Sequence, residues 1–103
     1  MLESAEHDLK ELGTYIVRSF SIETWQNSYD KIKAAIRNLK NFPYAGSIPE
    51  ELEKLSLTQY RQVISGMNRI IYEVRQDIIY IHIITDSRRE LKSLLTRRLL
   101  RVI

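Results

Sequence analysis

The hydrophobic pattern changes its period twice along the chain, and this restricts the fold more than any other feature. From Ser4 to Phe20, and again from Ser21 until just before Asn41, apolar residues recur every three or four positions, which predicts two helices in a hairpin. Between positions 60 and 84, three short runs rich in β-branched and aromatic residues alternate with turn sequences, which predicts an antiparallel meander. The helical period returns after Ser87. The predicted class is therefore α+β, with an N-terminal helical hairpin packed on a twisted three-stranded antiparallel sheet and a short basic C-terminal helix.

The length and composition favour one small domain. A chain of 103 residues with 44% hydrophobic residues has enough apolar material for one core, so we expect a single domain over 1–103. The absence of cysteine excludes disulfides and thiolate chemistry. The charged N-terminus predicts neither a signal peptide nor a membrane span, so a cytoplasmic protein that does not engage membranes is expected. His7 has no partner pattern typical of a metal site, and we expect no metal or cofactor.

The charge is concentrated near the C-terminus. Residues 86–103 contain six Lys/Arg against Asp86 and Glu90, a local charge of +4 within a net charge of +3. This asymmetry favours an anionic partner, either nucleic acid or an acidic protein segment. The alternative is a basic helix face that is simply solvated. The start of this helix is predicted at Ser87, which is spaced from Glu90 as in a capping box.

The alternation of side chains divides the predicted sheet into two faces. We pair Ser65 with Arg69 in the first hairpin and Glu73 with Tyr80 in the second. The face predicted to pack on the helical hairpin then contains Gln62, Ile64, Ile70, Tyr72, Val74, Ile79, Ile81 and Ile83. The opposite face contains Arg61, Val63, Arg69, Ile71, Glu73, Tyr80, His82 and Ile84. The mixed second face suits a binding surface, although a solvated face with an Arg61–Glu73 ion pair is an alternative.

Three aliphatic residues on the mixed face need a cover. Val63, Ile71 and Ile84 would be exposed unless the C-terminal helix or a partner protein packs on them. Two aromatic residues have simpler interpretations. Tyr72 is predicted to be core material, and Trp25 is predicted to anchor the core or the helix pair.

The order of these elements resembles that of the ParE/RelE superfamily, the toxins of type II toxin-antitoxin systems. The resemblance covers nearly the whole chain and is carried by SAEHDLKELGTYI, NFPYAGSIPEEL and YRQVISGMNRIIYEVRQDIIYIHIITDSRREL. It implies a RelE/ParE-like fold, a role in growth inhibition and plasmid stabilisation, and a co-expressed antitoxin that forms a hetero-oligomer with the toxin. Family members begin with a β-strand, but here only Met1 to Glu3 precede Ser4. We therefore expect that strand to be shortened or missing, which would leave a sheet edge open to a partner.

The sequence after the last strand favours one of the two activities known for this fold. Thr85-Asp86-Ser87-Arg88-Arg89 resembles ParE-like chains, which bind and inhibit DNA gyrase without being enzymes. On this interpretation the residues that bind gyrase or nucleic acid are Arg61, Arg69, Arg88 and Arg89. The residues predicted to bind the antitoxin are Val63, Ile71, Glu73 and Ile84.

Two alternatives stay open at this point. The first is a RelE-like, ribosome-dependent mRNA endonuclease, in which Arg61 and Arg69 hold the phosphate and Tyr80 or His82 transfers protons. The tyrosine or histidine that RelE-like enzymes carry beyond the last strand is absent here, because His82 lies within the strand. The second alternative is an inactive homologue that binds only its antitoxin or an operator.

Overall fold

The helices and strands follow the predicted order. The computed structural model describes the backbone of residues 1–101 and the side chains of residues 1–98. Its elements are α1 (Glu3–Ser19), α2 (Ile22–Asn41), α3 (Glu50–Glu53), β1 (Tyr60–Ser65), β2 (Asn68–Arg75), β3 (Ile78–Asp86) and α4 (Leu91–Arg101). The three strands form an antiparallel sheet in the order β1-β2-β3. The predicted α+β class, with a helical hairpin, a meander and a closing helix, is confirmed.

The helical hairpin is fixed by a cap and by one close approach. The Ser21 hydroxyl accepts a hydrogen bond from the Thr24 N–H at 3.0 Å. Ser21 is therefore the N-cap of α2, which begins at the next residue, Ile22. A Cβ atom at Gly13 would lie 2.8 Å from the Trp25 ring. The missing side chain at Gly13 therefore lets Trp25 pack against α1, and the prediction of a helix-pair anchor is confirmed.

Each face of the sheet has its own hydrophobic core. The core on the hairpin side joins α1 and α2 to the sheet and contains Ala5, Leu12, Ile16, Ile32, Leu39, Ile70, Tyr72, Ile81 and Ile84. The core on the opposite side contains Leu52, Tyr60, Ile71, Ile83, Leu91, Leu94 and Leu95. The cover on the second face is thus the chain's own α4, helped by α3. In the sequence, Leu99 and Val102 continue the apolar spacing of Leu91, Leu94 and Leu95, but they lie outside the residues whose side chains are described.

The predicted register of the first hairpin is wrong by one residue. Ser65 pairs with Asn68 rather than Arg69, because the turn contains only Gly66 and Met67. Gly66 has a φ of 61°, which glycine adopts without steric cost and which suits a two-residue turn.

This shift exchanges the two faces of β1 relative to the prediction. Arg61 and Val63 lie on the hairpin side, while Gln62 and Ile64 lie on the other, and Ile64 is 57% exposed. Arg61 is opposite Tyr72 in the sheet, so the alternative of an Arg61–Glu73 ion pair is also wrong.

The second hairpin has the predicted register up to a bulge. Glu73 lies opposite Tyr80 as expected. However, Tyr72 pairs with Ile81 and Ile71 pairs with Ile83, so His82 is an extra residue on β3. Beyond the bulge the faces are inverted. Ile84 therefore packs under the helical hairpin and Ile83 under α4, the reverse of the prediction.

The last helix begins later than predicted. The Asp86 carboxylate accepts hydrogen bonds from the Arg88 backbone N–H at 2.8 Å and from its guanidinium, which forms a turn where the capping box was expected. α4 then begins at Leu91, and the Ser93 hydroxyl donates to Glu90 at 3.0 Å. Within residues 1–101, no helix is long and apolar enough to cross a membrane.

The outer edge of β3 is covered by helices rather than by a strand. Leu2 donates its backbone N–H to the Ile81 carbonyl at 3.2 Å, immediately before α1 begins at Glu3. Further along, the Asp8 carboxylate accepts the Ile84 N–H at 3.0 Å, and Arg98 donates to the His82 carbonyl at 2.8 Å. The expected open edge is therefore closed at these positions by α1 and α4, a common way of protecting an edge strand.

Candidate functional site

The side chains predicted to be functional lie in three separate places. Arg61 lies on the hairpin side of the sheet, beside the loop that precedes α3. Arg69, Glu73, Tyr80 and His82 lie on or beside the α4 side. Arg88 and Arg89 lie in the turn between β3 and α4. The four arginines therefore do not form one continuous basic surface.

Arg69 is buried in a polar network. Its residue is 7% exposed, and its guanidinium donates to Gln62 Oε1 at 2.8 Å and to the Glu51 carboxylate at 2.9 and 3.3 Å. The hydrogen bonds from Arg69 hold the pKa of Glu51 below its usual value. This bidentate contact between the guanidinium and the carboxylate holds α3 against β2. It leaves few N–H donors of Arg69 free to bind the phosphate of a nucleic acid. No spacing or motif in the sequence marked Glu51 as the partner of Arg69.

The Arg69–Glu51 pair predicts an acid-sensitive contribution to stability. Because the folded pKa of Glu51 is lowered, the contribution is present above the unfolded value near 4.5 and is lost as pH falls through the folded one. Glu51→Gln is expected to lower the free energy of unfolding by up to about 1 kcal/mol at neutral pH, since Glu51 is partly exposed. As pH falls below 4.5 the difference from the wild type should shrink. Urea unfolding at neutral pH and at a series of pH values below 4.5, with exposed Glu53→Gln as control, measures this; a difference that does not change with pH would contradict it.

Arg61 holds a loop instead of facing open solvent. Its Nη1 donates to the Gly46 carbonyl at 2.7 Å, and its guanidinium lies 5.0 Å from the centre of the exposed Tyr44 ring. The same loop is joined to the sheet by a bridge between Ser47 and Gln62. Arg61 therefore positions the segment before α3, a role that the pattern of the strand did not predict.

A cluster of titratable side chains surrounds the bulge in β3. His82 Nε2 is 2.9 Å from Glu73 Oε1, and the Tyr60 ring meets the imidazole edge-on at 5.3 Å. Arg75 lies 3.3 Å from Glu73 and 4.2 Å from the centre of the Tyr80 ring. Burial, together with the nearby Glu73 charge, raises the pKa of Tyr60. Tyr80 and His82 were predicted as proton-transfer candidates, whereas Arg75 and Tyr60 were missed because neither stands out in the sequence.

The turn between β3 and α4 exposes two arginines in different states. Arg88 binds Asp86 with Nε and Nη2, both at 2.9 Å, and these bonds lower the pKa of the Asp86 carboxyl. Arg89 is also exposed, and no acidic partner for its side chain lies among the described residues. Of the four predicted arginines, Arg89 is thus the most available to a partner.

Beside this turn lies a cleft that we call the β3–α4 cleft. It has a volume of about 420 Å³ and lies between α1, the end of β3 and α4. An ion pair between Asp8 and Arg98 joins α1 to α4 next to it. Burial raises the pKa of Asp8, although its bonds with the Ile84 N–H and Arg98 act in the opposite direction. Neither Asp8 nor Arg98 was singled out by the sequence pattern, since they meet only in the folded chain.

The four residues predicted to bind an antitoxin lie on both faces of the sheet. Val63 and Ile84 pack with the helical hairpin, whereas Ile71 is buried beneath α4 and Glu73 contacts His82. A partner that reached Ile71 would have to displace α4 first. Among the described residues, no group of three or more His, Asp or Glu side chains is placed to hold a metal ion.

The helical hairpin, the antiparallel meander and the closing helix agree with the family that the sequence resembles. The family model described as "ParE toxin of type II toxin-antitoxin system, parDE" matches residues 1–91. The chain therefore belongs to the ParE toxin family. Membership in this family implies an antitoxin as its partner protein. Among curated protein sequences, none matches the chain significantly.

Proposed function

We propose that this toxin inhibits DNA gyrase by direct protein contact and is neutralised when its antitoxin binds. The observation that carries the proposal is the state of Arg69. In a RelE-like nuclease the arginine at this position holds the RNA phosphate. Here Arg69 is buried, and its Nη1 and Nη2 both donate to the Glu51 carboxylate. Releasing it for phosphate would leave Glu51 without its partner, which disfavours RNA cleavage and supports action by contact.

The surface proposed to contact gyrase is the β3–α4 turn together with the exposed side of α4. Arg88, Arg89, Lys92 and Arg97 are exposed there, whereas Leu91, Leu94 and Leu95 face the core. A rigid helix that presents several cations is suited to an acidic protein surface. Because an antitoxin on this surface would exclude gyrase, masking is the simplest route to neutralisation.

The cluster around the β3 bulge favours a second candidate function. Glu73 lies 2.9 Å from His82 and 3.3 Å from Arg75, so a carboxylate, an imidazole and a guanidinium lie close together. Such a set contains the groups that metal-free RNA cleavage requires. The alternative is therefore a ribosome-dependent mRNA endonuclease whose proton transfer uses His82 and whose phosphate contact is Arg75 rather than Arg69.

Induction of the toxin alone in a bacterial host separates these functions. The initial rates of DNA and protein synthesis are measured by incorporation of labelled precursors in the first minutes. The gyrase proposal predicts that DNA synthesis falls first. A first fall in protein synthesis would instead support the endonuclease, and normal rates of both would indicate a homologue that only binds its antitoxin.

A further inference from the structure

We infer that the β3–α4 cleft is an anchor site for the antitoxin, and that it takes one apolar side chain from an acidic segment. The inference rests on the proposed neutralisation by an antitoxin and adds where and how the partner is held. The cleft is distinct from the four residues first predicted to bind the antitoxin, apart from Ile84 in its lining.

The floor of the cleft is apolar and its size fits a side chain. Leu12 of α1, Ile84 of β3 and Leu94 of α4 line it, and the exposed Tyr15 stands at its rim. The volume of about 420 Å³ lies within the range of roughly 300–1,000 Å³ that is usual for binding pockets. An aliphatic or aromatic side chain that enters would remove apolar surface of α1, β3 and α4 from water together.

The charges around the mouth favour a carboxylate of the segment on the α4 side of the cleft rather than on the α1 side, where Glu11 lies. Two of the acids there are already engaged by cations, since Asp8 is paired with Arg98 and Asp86 with Arg88. On the α1 side Glu11 is bonded to His7 at 2.8 Å, whereas on the α4 side Arg89 has no acidic partner among the described residues. A carboxylate next to the anchoring side chain is therefore expected to lie toward Arg89, within the basic stretch of residues 86–103.

Charge reversal at Arg89 tests this inference against a matched control. The cognate antitoxin is titrated onto the purified full-length toxin, and the dissociation constant is measured for wild type, Arg89→Glu and Arg37→Glu. Both arginines are exposed, but only Arg89 lines the cleft, whereas Arg37 lies on α2, outside the proposed gyrase-binding surface. Arg89→Glu is expected to weaken binding by about tenfold or more, and Arg37→Glu by less than about threefold.

A second pair of variants tests the apolar part of the site. Tyr15→Ala removes a ring from the rim of the cleft, while Tyr44→Ala removes an exposed ring elsewhere, so only the first should weaken antitoxin binding. Equal effects within each pair, with wild type still binding tightly, would overturn the cleft assignment and leave the proposed function standing. Failure of the wild-type toxin to bind its antitoxin would overturn both.

Discussion

Replacing Gly46 with alanine is expected to lower the free energy of unfolding by about 2 to 4 kcal/mol. A Cβ atom at this position would lie 2.4 Å from the Gln62 carbonyl oxygen and 2.7 Å from the Tyr72 hydroxyl. The first of these is a backbone atom of a strand, which cannot move without disturbing the sheet. The substitution would also disturb the hydrogen bonds that Tyr72 makes with the Gly46 N–H and the Pro43 carbonyl.

Gly66→Ala is the matched control for this prediction. Gly66 has a positive φ of 61°, but a Cβ atom there would meet nothing within 4 Å. Its substitution is expected to cost only the backbone strain of about 1 to 2 kcal/mol. Urea unfolding of the two variants compares them directly. If Gly66→Ala is the more destabilised, the close packing of the loop against β1 and Tyr72 is wrong.

Replacing Leu91 with alanine is the second change with a large expected effect, a loss of about 2 to 5 kcal/mol in the free energy of unfolding. Leu91 is fully buried at the start of α4, in the core that also contains Leu52, Ile71 and Ile83. Truncation would leave a cavity at the place where the helix first meets the sheet. Because α4 carries much of the proposed gyrase-binding surface, we also expect the toxic effect to weaken.

Thr96→Ala separates loss of packing from a change in the helix itself. Thr96 is exposed on the same helix, and its hydroxyl donates to the Lys92 carbonyl at 2.8 Å. Alanine favours helix formation at least as well as threonine, so stability should change by less than about 0.5 kcal/mol. Unfolding is followed by circular dichroism for both variants. Similar stability of Leu91→Ala and the wild type would mean that α4 does not cover the sheet as described.

The order of helices and strands was predictable because it depends on local hydrophobic periodicity. The face of the sheet on which each strand side chain lies was not. The strands β1, β2 and β3 lie close to the predicted runs, and Tyr72 and Trp25 have the predicted roles. Two local features changed the face of the sheet on which some side chains of β1 and β3 lie. The two-residue Gly66-Met67 turn moved the register of β1, and the bulge at His82 reversed the end of β3. Both are set by turn and strand geometry that periodicity does not record.

The candidate site was less predictable because its main contacts join distant parts of the chain. Arg69 meets Glu51 of α3, and Asp8 of α1 meets Arg98 of α4. Neither pair has a spacing that marks it in sequence. The exposed arginines of the β3–α4 turn were predictable, since Arg88 and Arg89 lie within three residues of the end of the last strand. Their different states were not, because the bonds between Asp86 and Arg88 form only in the folded turn.

Inhibition of purified gyrase tests the central claim most directly. Relaxed plasmid, ATP and gyrase are incubated with increasing amounts of the full-length toxin, and the supercoiled product is measured on agarose gels. The proposal predicts that excess toxin inhibits supercoiling and that stoichiometric antitoxin, added beforehand, restores it. Undiminished supercoiling at a large excess of folded toxin would contradict gyrase as the target.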